Sequence, residues 1–194
     1  MAIKGASRKA PSGLRNGLAL GTTGFVIAAL LGGPLGGIIQ RTGLAAGVAI
    51  MLSAILISIA ADILAVAAAA GDAKPLNAMA ADRVPGAREA LAIVRNAGRV
   101  NSVCADVVGD ICGTISGVAA TPVILSIHKA YPAMPLSVIA MGVLGAIAFF
   151  TIGGKAAEKT YAVRSATSVL LFAGKGLYSL GRVARFFRTR RRRA

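Results

Sequence analysis

The sequence predicts an all-α membrane protein with about four transmembrane helices, a juxtamembrane amphipathic helix and a basic C-terminal interfacial helix. Of its 194 residues, 56% are hydrophobic and only 15% are charged. The mean hydropathy is +0.72, which is typical of a membrane protein rather than a soluble domain. Charge is also segregated, because the basic residues fall between and after four long apolar runs.

The transmembrane domain is predicted over residues 17–154, after a basic N-terminal segment at 1–16. About 20 apolar residues cross a bilayer as one helix. The first run is longer than the core of a secretory signal, so we interpret it as a retained signal anchor. The expected spans are 17–39, 43–70, 103–127 and 136–152, with a loop at 71–100.

Two amphipathic segments flank these spans. At 86–97 the residues Ala87, Ala90, Leu91 and Val94 share one helical face, which predicts a helix lying along the membrane surface or against the bundle. The segment 155–194 is predicted to be a basic amphipathic tail that lies in the membrane interface and attaches to anionic lipids of the bilayer. RNA or the ribosome is a weaker alternative partner for its terminal arginines.

The positions of the basic residues predict the topology. Four precede the first span, five lie in 71–99 and eleven follow the fourth span, whereas only Arg41 and Lys129 fall on the other side. Positive charge accumulates on the cytoplasmic side of membrane proteins. We therefore expect a multi-pass protein of the cell (inner) membrane, with both termini cytoplasmic. Glycine-rich helix faces further favour a homo-oligomer.

Three acidic residues lie within the predicted spans: Asp62 in the second, and Asp106 and Asp110 in the third. Counting about 1.5 Å per residue places Asp62 and Asp110 at nearly the same depth. Ser58 and Ser102 lie four residues before Asp62 and Asp106. The sequence thus predicts one metal site made of Asp62, Asp106, Asp110, Ser58 and Ser102.

A carboxylate near the bilayer centre costs roughly 2.5 to 3.5 kcal/mol, so each of these acids needs a compensating partner. No Lys or Arg falls within the predicted spans, so ion pairing is not expected. The remaining partners are a proton, water, a hydroxyl group or a bound cation. Oxygen ligands favour a hard ion such as Mg²⁺, Na⁺ or H⁺. The sequence has no nucleophile, metalloprotease or nucleotide-loop motif, and we expect no enzyme.

The segment from Asp62 to Gly117 contains the linker AMAADRVPGAREALAIVRNAGRV and the span motif DVVGDICG. It resembles the transmembrane domain of the CorB/CorC (cyclin M) magnesium transporters over about a third of the chain. On this alignment Asp62 takes the place of the family's glutamate, and Asp106 and Asp110 take the places of its asparagines. The CBS domains of the family are absent. The resemblance implies a Mg²⁺ site at these positions.

Together these observations predict a polytopic membrane protein that binds a divalent cation, Mg²⁺, through an intramembrane carboxylate site, with transport as the further expectation. The alternative is a non-transporting scaffold or assembly protein. In that case the buried aspartates serve only to hold helices together.

Overall fold

The computed structural model describes residues 17–18, 21–26, 29, 37–39, 41 and 43–190, with side chains as far as Ser179. No strand occurs among these residues, and the all-α prediction is confirmed. A π-helical segment, Ser102–Val108, joins α4 to α5. The α-helices are α1 (Leu44–Ala70), α2 (Ala73–Ala81), α3 (Ala87–Arg95), α4 (Ala97–Asn101), α5 (Gly109–Ala130), α6 (Leu136–Arg164) and α7 (Ala166–Arg190).

Three helical stretches in the described part of the chain are long and apolar enough to span a membrane: Leu44–Ala70, Ala97–Ala130 and Leu136–Arg164. They coincide with the second, third and fourth predicted spans, and they support the assignment of a membrane protein with transmembrane helices. The first predicted span, 17–39, lies largely outside the described residues. Its described members are helical.

Helix α6 does not end where the sequence predicted. It continues to Arg164, twelve residues beyond the expected boundary at 152, and brings Lys155 and Glu158 into the same helix as the apolar span. Neither Gly153 nor Gly154 interrupts it, because a glycine weakens a helix without removing a backbone hydrogen bond. Lys155 and Glu158, which the sequence analysis assigned to the basic tail, therefore belong to the helix of the fourth span.

The three long helical stretches form an antiparallel bundle in which α1 contacts both α5 and α6. A Cβ atom on Gly47, early in α1, would lie 3.0 Å from Cγ2 of Val123, late in α5. A Cβ on Gly109, at the start of α5, would lie 3.9 Å from Oγ of Ser58. The ends of α1 and α6 and the start of α5 therefore lie at the same end of the bundle.

Helices α2, α3 and α7 cover that end with a small apolar core. The apolar face of α3 packs against α7, so this amphipathic helix lies against protein. Gly86 starts α3 with φ at 84°, a conformation that glycine adopts without strain. The buried core residues are Ala67, Ala68, Leu76, Ala90, Leu91, Ile93, Ala166 and Leu170.

Helix α7 crosses α3 at Gly174, where the two backbones touch. A Cβ atom at Gly174 would overlap the carbonyl oxygen of Gly86 and lie 2.9 Å from the amide nitrogen of Ala90. Both are backbone atoms, so they cannot rotate away as the end of a flexible side chain would. We expect Gly174→Ala to destabilise the protein by about 1 to 3 kcal/mol, measured as a lower thermal unfolding midpoint in detergent.

Gly176→Ala is the matched control, because a Cβ at Gly176 meets no described atom within 4 Å. In the same helix this change should be neutral or stabilise by roughly 0.5 to 1 kcal/mol. Equal midpoints for the two variants would contradict the close crossing of α3 and α7.

Candidate cation site

The first candidate site lies where the π-helical segment passes into α5. Asp106 is in the π-helical segment and Asp110 is in the first turn of α5. The i→i+5 bonding of a π-helix widens the backbone, a feature that is frequent at functional sites. Both aspartates are exposed, whereas Gly109 between them is buried. The carboxylates therefore lie on the exposed side of the helix, and Gly109 lies where the helix packs against Ser58 of α1 and Lys155 of α6.

Asp106 and Asp110 line a cavity of about 340 Å³, together with Ser102 and Thr114. The Thr114 hydroxyl donates a hydrogen bond to the carbonyl oxygen of Asp110 at 2.9 Å, and its lone pairs remain free to bind an ion. The opposite wall of the cavity comes from the first predicted span. The remaining lining residues are Gly21, Gly24, Phe25, Val107 and Ile111.

A second polar group lies on the other side of α5, between α1 and α6. Asp62 and Glu158 are each only 8% exposed, and their carboxyl groups are close enough to interact electrostatically. No described residue donates a hydrogen bond to either oxygen of Glu158. Two ionised carboxylates are acceptors only and cannot satisfy each other. The pair therefore requires a proton or a cation from elsewhere.

Ser58 and Lys155 come close to the same pair. Ser58 lies one turn before Asp62 on α1 and is 2% exposed, and its hydroxyl has no hydrogen-bond partner among the described residues. The Lys155 amino group lies 3.3 Å from the point where a Cβ of Gly109 would be, and the Ser58 hydroxyl lies 3.9 Å from that point. Lys155 also acts electrostatically on Glu158. We call Ser58, Asp62, Gly109, Lys155 and Glu158 the polar centre.

The structure thus divides the five predicted metal ligands into two groups. Asp106, Asp110 and Ser102 line one cavity, while Ser58 and Asp62 belong to the polar centre. Within the described residues, no three His, Cys, Asp or Glu side chains are arranged to hold a metal ion. Occupancy of any of these positions by Mg²⁺ stays a prediction.

Sequence reasoning missed Glu158 and Lys155. The signal was present, because Glu158 is the only acidic residue after Asp110 and stands among basic residues. A single acidic residue three positions after a lysine is also explained by an ion pair between the two side chains on an exposed helix surface. For this reason the residue did not stand out as a buried partner of Asp62.

No protein-family model, curated protein or solved structure matches this chain. The resemblance to CorB/CorC transporters therefore stays a prediction.

The buried, unpaired hydroxyl of Ser58 gives a test of the polar centre. A buried polar group without a partner costs about 1 to 3 kcal/mol, so Ser58→Ala should raise the thermal unfolding midpoint in metal-free detergent buffer. Ser116→Ala is the control, since Ser116 is also buried but donates a hydrogen bond to the Cys112 carbonyl oxygen at 2.9 Å. Both changes gain similar helix propensity. A Ser58→Ala protein no more stable than Ser116→Ala would show that the Ser58 hydroxyl has a partner.

Proposed function

We propose that this membrane protein binds Mg²⁺ in the cavity between Asp106 and Asp110 and moves the ion across the bilayer. The observation that supports the proposal is the convergence of two carboxylates and two hydroxyl groups on a single cavity at the start of α5. Carboxylate and hydroxyl oxygens are hard ligands, which suit Mg²⁺ better than zinc or copper.

The size of the cavity favours a hydrated ion. A volume of about 340 Å³ leaves room for several water molecules beside an ion. Mg²⁺ gives up its water reluctantly and is usually held by one or two carboxylates while it keeps several waters. Two aspartates and two hydroxyl-bearing residues in a roomy, otherwise apolar cavity fit this mode of binding better than a closed cage of protein ligands.

The proposal is tested by Mg²⁺-dependent thermal stabilisation in detergent. Saturating Mg²⁺, at about 100 times the dissociation constant, should stabilise the protein by about 2.7 kcal/mol. Asp106→Asn and Asp110→Asn each remove a charge from the site and should lose most of this response. Asp82→Asn, an exposed change outside the cavity, should keep it. The same variants in Mg²⁺-loaded proteoliposomes report whether binding serves transport.

Asp62→Asn distinguishes this two-aspartate site from the three-carboxylate site that the sequence predicted. If only Asp106 and Asp110 bind Mg²⁺, the variant is still stabilised by Mg²⁺. If Asp62 is also a ligand, the stabilisation is lost. An unchanged response in Asp106→Asn and Asp110→Asn would overturn the proposal in either form.

The competing function is a scaffold without transport, and the burial of Asp62 beside Glu158 favours it, because a proton shared between the two carboxyl groups would tie α1 to α6. A purely structural role predicts that Asp62→Asn and Glu158→Gln lower stability equally with and without Mg²⁺. It also predicts no cation flux in proteoliposomes containing the wild-type protein.

We further propose an inner-membrane protein with cytoplasmic termini, whose basic tail contacts anionic lipids and which forms homo-oligomers through α6. The most apolar stretch of α6 is only 6% buried within the chain. Gly142 and Gly145 on this helix are exposed and meet no described atom within 4 Å of a Cβ position. Small residues of this kind let transmembrane helices approach closely.

Gly145→Leu should lower the oligomer mass measured by light scattering in detergent, since the added side chain has space within the chain but not between close-packed helices. Gly98→Leu, at an exposed glycine of α4 with equally open surroundings, should leave the mass unchanged. An unchanged mass in Gly145→Leu would exclude this face of α6.

A further inference from the structure

The polar centre contains more acceptor atoms than the described residues satisfy. Both oxygens of Glu158 and the hydroxyl of Ser58 are buried and have no hydrogen-bond partner among the described side chains and backbone. Unsatisfied buried polar atoms are rare, and each one calls for an explanation. Here the unsatisfied atoms are oxygens on two facing helices, which is the arrangement that binds a hard cation.

The charges of the polar centre indicate the valence of that cation. Asp62 and Glu158 carry two negative charges when ionised, and the nearby Lys155 contributes one positive charge. Lys159 also acts on Glu158, but its side chain is exposed and its charge is solvated. On α5 the facing group is the Cys112 thiol, which is neutral in its protonated form and lies near Lys155. When both carboxyl groups are ionised, one negative charge is therefore left unbalanced.

We infer that the polar centre is a binding site for one monovalent alkali cation, Na⁺, held by the Asp62 and Glu158 carboxylates and the Ser58 hydroxyl. A single positive charge neutralises the remaining negative charge. A divalent ion would leave an excess positive charge in a buried site, where an uncompensated charge is strongly destabilising. Lys155 therefore selects against Mg²⁺ at this position.

Gly109 provides the space for this arrangement. The Lys155 ammonium and the Ser58 hydroxyl both lie within 4 Å of the position that a Cβ atom at Gly109 would occupy. A larger residue there would push the ammonium group away from the centre. The Na⁺ site does not depend on Mg²⁺ binding, because Asp106 and Asp110 line a separate cavity that contains no residue of the polar centre.

The test compares thermal unfolding of the full-length protein in NaCl with unfolding in N-methylglucamine chloride at the same ionic strength. Na⁺ should raise the midpoint of the wild-type protein. Asp62→Asn, Glu158→Gln and Ser58→Ala should each bind Na⁺ about tenfold or more weakly, as expected when a site loses about 1.4 kcal/mol or more. The control Glu89→Gln, on α3 outside the polar centre, should respond like the wild type. Asp110→Asn should also keep the Na⁺ response, whatever happens to Mg²⁺ binding.

Lys155→Met tests the charge argument most directly, because it removes the positive charge but keeps a long apolar side chain. The centre then carries two unbalanced negative charges, and its preference should shift from Na⁺ toward Mg²⁺. This arm is measured in an Asp110→Asn background, so that the other cavity does not contribute.

Three results would overturn the inference. They are a wild-type midpoint equal in the two salts, a Na⁺ response that survives loss of either carboxylate, and a midpoint that follows pH alone, which would assign the pair to a proton. If a carboxyl variant fails to fold, Ser58→Ala decides the question by itself. That variant leaves the charges in place, and an undiminished Na⁺ response in it excludes the site.

Discussion

The packing of α1 against α6 is governed by the need to keep two carboxyl groups away from lipid. An acidic side chain in a bilayer costs roughly 2.5 to 3.5 kcal/mol at the centre of a helix, so Asp62 and Glu158 are placed on the faces that the two helices turn toward each other. The close approach is possible because Gly154 on α6 leaves room for the Ile59 side chain. Lys155 lies on the same side and reduces the repulsion between the two acids.

The features that depend on local composition could be predicted from the sequence. Apolar runs predicted the second span to within one residue and the end of the third span to within three residues. Hydropathy over some 20 positions is a strong signal for a transmembrane helix. The amphipathic pattern around Leu91 gave both α3 and its buried face. Asp106, Asp110 and Ser102 could be placed on one side of one helix, because residues four apart in a helix are neighbours whatever surrounds them.

The features that depend on contacts between distant segments could not be predicted in the same way. Glu158 meets Asp62 across 96 positions of sequence, and periodicity carries no information on which helix faces which. The predicted boundary at 152 also placed Glu158 in a separate tail, although no residue there stops the helix. The π-helical segment has no distinctive amino-acid composition, so the sequence did not predict it.

The two candidate sites are built around a single helix, and their distance from each other limits how strongly their cations interact. An α-helix with its side chains is about 10 Å across, and two unit charges that far apart interact by roughly 1.7 kcal/mol at an effective dielectric constant of about 20. A Mg²⁺ ion near Asp110 would thus oppose a Na⁺ ion near Asp62 by about 3 kcal/mol if salt did not screen them. Asp106 and Asp110 are exposed, however, so water and salt strongly screen a charge in their cavity. The two sites share no ligand, and cations should therefore bind to them largely independently.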